Sequence, residues 1–289
     1  MTNNKITVAS SPHIKSNLRV NKLMRDVLIA LLPAVGFGIY FNGTRGLLLL
    51  LTTVLSTVLS EGIFRKIVKK SSTLNDLSAV VTGVILGLIL PVNIPLWIAA
   101  VAGIFAIFLV KEIYGGLGQN FMNPAATGKI FVTIAYGSVI VTSSASSTVF
   151  KDAFIGQSSV NLGEASILAI LIGGLYLLAK GVIRLRVPFT IILVNLMFSH
   201  FVLGDIKILG LNAGIYLVAF FLANDYASSS ITNQGKWIYA LLLALLTAFL
   251  IGEANNPDGA YYAVLIGNVF APLIDSFFKG KVSKEKGGK

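Results

Sequence analysis

The chain has 289 residues, 55% of them hydrophobic and only 12% charged, with a net charge of +11 and no cysteine. A soluble domain carries about 25% charged residues, so this composition excludes a large soluble domain and leaves one polytopic membrane domain. Without cysteine there are no disulfides, thiolate zinc sites, cysteine-ligated iron–sulfur clusters or c-type haem; no metal site is expected, and a redox cofactor here must be organic.

In chain order, residues 1–24 come first. They are polar and basic and lack a short apolar core with a cleavage site, so they read as a cytoplasmic N-terminal segment and not as a cleaved signal peptide. Ten apolar runs follow, at 26–42, 46–64, 77–91, 95–111, 125–141, 165–179, 187–204, 211–223, 236–252 and 260–278. A helix of about 20 residues spans a bilayer. Several runs are shorter, as spans can be where protein covers the loose backbone. The expectation is an all-α polytopic membrane protein with about ten transmembrane helices, a single membrane domain over 25–278 and a basic cytoplasmic tail over 279–289.

The charges support that count. With the N-terminus inside and sides alternating, all of the 23 basic residues except Arg45, Lys151 and Lys207 fall on the cytoplasmic side, Lys111 and Lys129 among them. The positive-inside rule expects this bias, and it places both termini in the cytoplasm. Topology also accounts for the net charge, so no nucleic-acid partner is expected.

Three stretches interrupt the apolar pattern. "GGLGQNFMNPAATG" at 115–128 has glycines suited to positive φ and close backbone approach, among them Gly118. Asn123 suits a helix cap and Pro124 a first helical position. The segment reads as a breakpoint followed by a helix start, either an ordinary loop or the lining of a ligand or ion path. "NDYASSSITNQGK" at 224–236 places Asp225 beside an apolar run, either at membrane depth, where a carboxylate costs about 2.5 kcal/mol or more, or at the interface. "VTSSASSTVFKD" at 141–152 is a hydroxyl-rich loop on the outer side; composition alone reads it as a linker. His200, late in an apolar run, reads as a packed imidazole. No Walker loop or dinucleotide fingerprint occurs.

Five stretches in order, "SSPHIKSNLRVNKLMRDVLIALLPA" at 10–34, "GGLGQNFMNPAATG", "GEASILAILIGGLYLL" at 163–178, "FFLANDYASSSITNQGK" at 220–236 and "PDGAYYAVLIGNVFAPLID" at 257–275, together resemble the membrane D subunit of Rnf-type complexes. The B subunit of the sodium-pumping NADH:quinone reductase is related. The resemblance implies two inverted five-helix halves, about 25–142 and 163–278, similar to urea and ammonium channels. A faint internal echo agrees: Asn75–Asp76 and Asn224–Asp225 lie 149 positions apart, 224 minus 75.

The resemblance further implies a bacterial or archaeal inner-membrane complex that moves electrons between ferredoxin and NAD, coupled to sodium or proton transport. Its other membrane, iron–sulfur and flavin subunits would be the partners, and the chain would not act alone. FMN would be attached through its phosphate to a hydroxyl in the outer loop by a separate flavin transferase. Riboflavin or another second, noncovalent flavin is also implied. The family's attachment motif fits in two registers, one ending at Thr148 and one at Ser146; in the latter, Ile140 stands where the family has Asp. Gly118, Asn123, Pro124 and Asp225 are the candidate lining of a flavin or ion path, and no catalytic residue is assigned. The alternatives are a channel or transporter without redox chemistry, and a scaffold subunit of the same complex that has lost its flavin site.

Overall fold

The computed structural model describes residues 20–69, 73–140, 150–156 and 160–279. Among these the chain is helical, with no strand beyond an isolated bridge between Pro91 and Asn161. The elements are α1 (Val20–Ile67), α2 (Ser78–Ile89), α3 (Leu96–Phe105), α4 (Pro124–Ala135), α5 (Phe150–Ile155), α6 (Ile167–Ala179), α7 (Arg186–Phe201), α8 (Lys207–Gly210), α9 (Ala213–Leu217), α10 (Gly235–Ala248) and α11 (Gly259–Lys279). Three helices continue into wider π turns: α3 over Ala106–Glu112, α9 over Val218–Leu222 and α10 over Phe249–Glu253. Helical segments thus lie over all ten apolar runs. Three of them are long and apolar enough to cross a membrane: Val20–Ile67, Gly235–Glu253 and Gly259–Phe278.

α1 covers two of the apolar runs. Gly43 breaks it with φ 60° and ψ −146°, a conformation outside the helical range that glycine adopts without steric cost. The chain turns back on itself there. Asn21, at one end of α1, donates to the carbonyl of Asn75, just beyond the other end, at 2.8 Å.

Small residues bring the helices together. A Cβ on Gly83 of α2 would meet Thr57 Oγ1 of α1 at 2.5 Å, and one on Gly87 would meet Thr53 Oγ1 at 2.7 Å. Backbones packed this closely gain van der Waals contact where lipid offers no hydrophobic drive between helices. The Thr53 and Thr57 hydroxyls cap carbonyls of their own helix, Thr53 that of Leu50 at 3.0 Å and Thr57 that of Thr53 at 3.0 Å, so none needs a partner across the interface. The outward face of α1 carries exposed Leu51, Leu55, Leu59 and Ile63 at helical spacing, as a lipid-facing or partner-facing surface would.

The structure corrects two charge assignments. Lys111 lies in the π end of α3 and Lys129 in the middle of α4; they are 2% and 0% exposed. Neither is a loop cation. Each is paired with a buried acid, so neither contributes to a charge bias across a membrane. His200 is also corrected: it lies on the exposed face of α7, edge-on to Phe201 at 4.8 Å between ring centres, and not packed inside.

Candidate functional site

The two interrupted segments meet in space. Gly115, Gly116 and Gly118 all take positive φ, at 116°, 98° and 85°. Only Gly116 also makes the close approach expected of these glycines: its Cα lies against the Arg65 guanidinium, where a Cβ would collide with Nη2. Around Gly118 there is open space, so backbone conformation alone demands glycine there. Arg65 is held by Glu112, Nε to Oε2 at 2.7 Å.

The helix start expected at Asn123 and Pro124 is present. The Asn123 side chain accepts from Ala126 N at 3.1 Å, and Pro124 occupies the first turn. The backbone N–H of Asn123 donates to Asn268 Oδ1 of α11 at 2.9 Å. Asn268 Nδ2 in turn donates to the Ser228 carbonyl at 3.1 Å and to Tyr239 Oη at 2.9 Å. One buried asparagine therefore ties the first interrupted segment to the second.

The second segment folds around two carboxylates. Asp275 of α11 accepts from Ser230 Oγ at 2.6 Å, Ile231 N at 2.8 Å, Thr232 N at 3.0 Å and Thr232 Oγ1 at 2.7 Å. With its oxygens engaged by donors, it holds the loop in place. Asp225 receives fewer bonds, from Ser228 Oγ at 2.7 Å and Ala227 N at 3.5 Å. Burial among protein atoms pushes its carboxyl above the ordinary range, against the pull of those donors. The Tyr226 hydroxyl closes onto the Val182 carbonyl between α6 and α7.

Between the segments lies a cavity, part of it open to solvent. Its walls are mostly apolar: Val27 of α1, Val81 and Ile85 of α2, Leu177 of α6, and Phe220 and Phe221 at the end of α9. A few polar groups converge on it: Ser78, Thr82, Lys111, Asn120, Asn123, Asn224 and Asp225. Of the candidate residues, Asn123, Pro124 and Asp225 line this cavity; Gly118 lies on the same segment between lining residues Leu117 and Asn120. Asp225 is a wall residue of this cavity. Thr148 and Ser146 lie outside the described residues.

Two buried charge clusters flank the cavity, and sequence reading did not find them. In one, Lys111 Nζ donates to Glu61 Oε2 at 2.7 Å and to Ser78 Oγ at 2.6 Å. In the other, Lys129 Nζ binds Asp258 Oδ1 at 2.7 Å and the Ile89 carbonyl at 2.6 Å, and sits 4.2 Å from the centre of the Tyr261 ring. Tyr261 Oη donates to Glu164 Oε1 at 2.7 Å. The available signal was a lone acid or base inside an apolar run, such as Glu61 and Lys129, since such residues in spans are rare and paired.

Residues 7–284 match the NQR2, RnfD, RnfE family. The chain is similar to the D subunit of the Na(+)-translocating ferredoxin:NAD(+) oxidoreductase complex of Acetobacterium woodii, 39% identical over 301 positions that take in 96% of this chain and 95% of that one. It is 29% identical over 313 positions to the D subunit of the proton-translocating ferredoxin:NAD(+) oxidoreductase complex of Clostridium ljungdahlii, with 95% of each chain covered. It is also 34% identical to the B subunit of the Na(+)-translocating NADH-quinone reductase of Ectopseudomonas mendocina, over 64% of this chain and 55% of that one. The family match takes in both interrupted segments and the helices that carry them, and the chain belongs to the NQR2, RnfD, RnfE family.

Proposed function

We propose that this chain is the flavin-carrying membrane subunit of an Rnf-type complex that couples electron transfer between ferredoxin and NAD to transport of sodium or protons. The cavity is the observation that carries this reading. Its apolar walls suit the faces of a flat ring system, and the amides of Asn120, Asn123 and Asn224 suit the donor and acceptor atoms at a flavin's edge. A bound flavin would supply electron transfer; the chain supplies placement and electrostatics. Asp225, in the cavity wall, can engage a polar ligand atom there. The same residues are the candidate lining of the path expected from the sequence, and Gly118 gives their segment its turn.

The second flavin of this reading is FMN, esterified to Thr148 or, in the alternative register, to Ser146. The relatives named above are subunits of complexes, and the partners here are the iron–sulfur, flavin and membrane subunits that exchange electrons with it, together with a flavin transferase. The ten helical segments lie in the bacterial or archaeal inner membrane in this reading, in two inverted halves with both termini in the cytoplasm. α4, at 12 residues, is about 18 Å long against a hydrocarbon core of about 30 Å. It therefore starts inside the membrane, and the segment before it dips inward, covered by α11.

A channel without redox chemistry fits less well. One helical turn beyond cavity residue Ala125 stands Lys129, completely buried, with Ile89 likewise one turn beyond Ile85. A cation there, buried with its partner Asp258, occupies the way beyond the cavity.

The test is co-expression of the chain with a flavin transferase and its partner subunits. A denaturing gel under ultraviolet light should show a fluorescent band that is lost in Thr148→Ala; loss only in Ser146→Ala moves the attachment by two residues. Denaturation should also release a noncovalent flavin, which Ala125→Trp, filling the cavity, should remove. Neither covalent nor released flavin in the intact complex would leave the scaffold alternative standing.

A further inference from the structure

The Lys111 cluster connects the cavity to half-buried Asp76 through groups that carry exchangeable protons. Lys111 Nζ is a three-proton donor. One N–H binds Glu61 and one binds Ser78; the third remains on a side chain that forms part of the cavity wall. The Ser78 hydroxyl donates to Asp76 Oδ1 at 2.5 Å. Asp76, in the short turn before α2, is half-buried, whereas Lys111 is sealed from water on every other side. The links of 2.6 and 2.5 Å are short enough for transfer along each. Glu61 is completely buried, and its second oxygen is taken by Thr73. It supplies the counter-charge beside Lys111. Across the cavity the facing ionisable group is Asp225; behind Lys111 stands the Arg65–Glu112 pair.

We propose that Asp76, Ser78 and Lys111 form a proton-delivery route from the cytoplasm to a redox-active heteroaromatic ligand in the cavity. This rests on the flavin reading above. An electron reaches the ligand from a reduced iron–sulfur or flavin carrier on a partner subunit. A Lys111 N–H bond breaks and its proton forms an N–H or O–H bond on the ligand, so the added charge is neutralised. Ser78 then turns its O–H toward the neutral Lys111 amine and passes it a proton, and its oxygen takes one in turn from water, relayed by the Asp76 carboxylate. No other oxidant or reductant is needed.

Ser78→Ala and Asp76→Asn test the route, and both are mild. Asn keeps an oxygen for the Ser78 N–H, which Asp76 Oδ1 now accepts at 2.8 Å. The experiment uses the whole purified complex. Flavin released on denaturation is quantified first. Proton uptake from the medium is then followed with a pH-indicator dye after flash photoreduction. Asp76→Asn should keep wild-type flavin content, both variants should take up protons at least tenfold more slowly per bound flavin, and millimolar imidazole, a small proton carrier, should restore the rate in Ser78→Ala. Glu61→Gln/Lys111→Gln, which removes the donor without leaving a lone buried charge, should be slow as well. Wild-type uptake rates in both single variants with flavin retained would overturn the route, as would slow uptake that imidazole does not restore, which marks a structural defect. A wild-type complex that releases no noncovalent flavin would remove the flavin reading itself, and the route with it.

Discussion

Breaking the Lys129–Asp258 pair should be among the most damaging single changes in this chain. Lys129 is 0% exposed and Asp258 3%, so neither charge can turn to water when its partner is lost. In Asp258→Asn, Lys129 retains the Ile89 carbonyl and the Tyr261 ring but no counter-charge. In Lys129→Met, Asp258 retains a 3.5 Å contact from Thr133 Oγ1. Removing one partner of a buried pair costs about 3–5 kcal/mol, while replacing both can be nearly neutral. At about 2–4 °C per kcal/mol for a chain of this order, each single variant should lose roughly 6–20 °C of thermal midpoint. The double variant Lys129→Met/Asp258→Asn should regain most of that. The assay is fluorescence-detected gel filtration of heated, detergent-solubilised protein. Single and double variants that lose equal amounts would refute the reasoning, because the damage would then come from packing and not from an uncompensated charge.

Gly118→Val should cost about 1–3 kcal/mol, the strain of a β-branched residue held at positive φ, and should reduce noncovalent flavin content. Gly118→Asn should be milder because asparagine tolerates that region better; equal flavin content in Val, Asn and wild-type proteins would count against the turn as part of the site. Asp225 has a folded-state pKa raised above the ordinary 3.8, so the folded protein binds more protons than the unfolded chain and loses stability as pH rises from that value through the raised one. Asp225→Asn should therefore be more stable than wild type above the raised value, with a gap that narrows as pH falls through it toward 3.8; a constant gap would contradict the shift. Reporter fusions at Lys289 and within residues 143–150 should report opposite sides of the membrane, the C-terminus inside.

The sequence showed the apolar runs because a helix in lipid must be apolar over its length, and that requirement does not depend on tertiary contacts. It showed the break at Gly43 only as a gap between two runs, and it showed the start of α4 through the chemistry of Asn123 and Pro124, which is local. What it could not show is which distant residues meet. Asn268 lies in a plain apolar helix, yet it joins Asn123 to Ser228 across 145 and 40 positions. Lys111 and Lys129 sit near span ends, where a surface cation and a buried one look alike until the acid opposite is found. Gly118 was expected to allow close approach as well as positive φ. Only the second holds, since steric room depends on neighbours that local sequence does not specify.

The two lysines divide the molecule functionally. Lys111 stands in the cavity wall with a hydrogen-bonded path to half-buried Asp76, while Lys129 lies a turn beyond the opposite wall, bound to Asp258 and covered by Tyr261. A cavity connected on one side and closed by a fixed, neutralised charge on the other is suited to holding a ligand that exchanges protons with one compartment. It is poorly suited to passing an ion between two. On the proposed function, this chain places electrons and protons at the cavity, and an ion path through its own centre would have to pass the Lys129–Asp258 pair. A Lys129→Met/Asp258→Asn complex separates the two ideas. If the ion runs elsewhere, reconstituted vesicles carrying this double variant should show no passive sodium or proton leak. If the centre of this subunit is the path, removing the charge should open it, and the leak should rise above that of the unaltered complex.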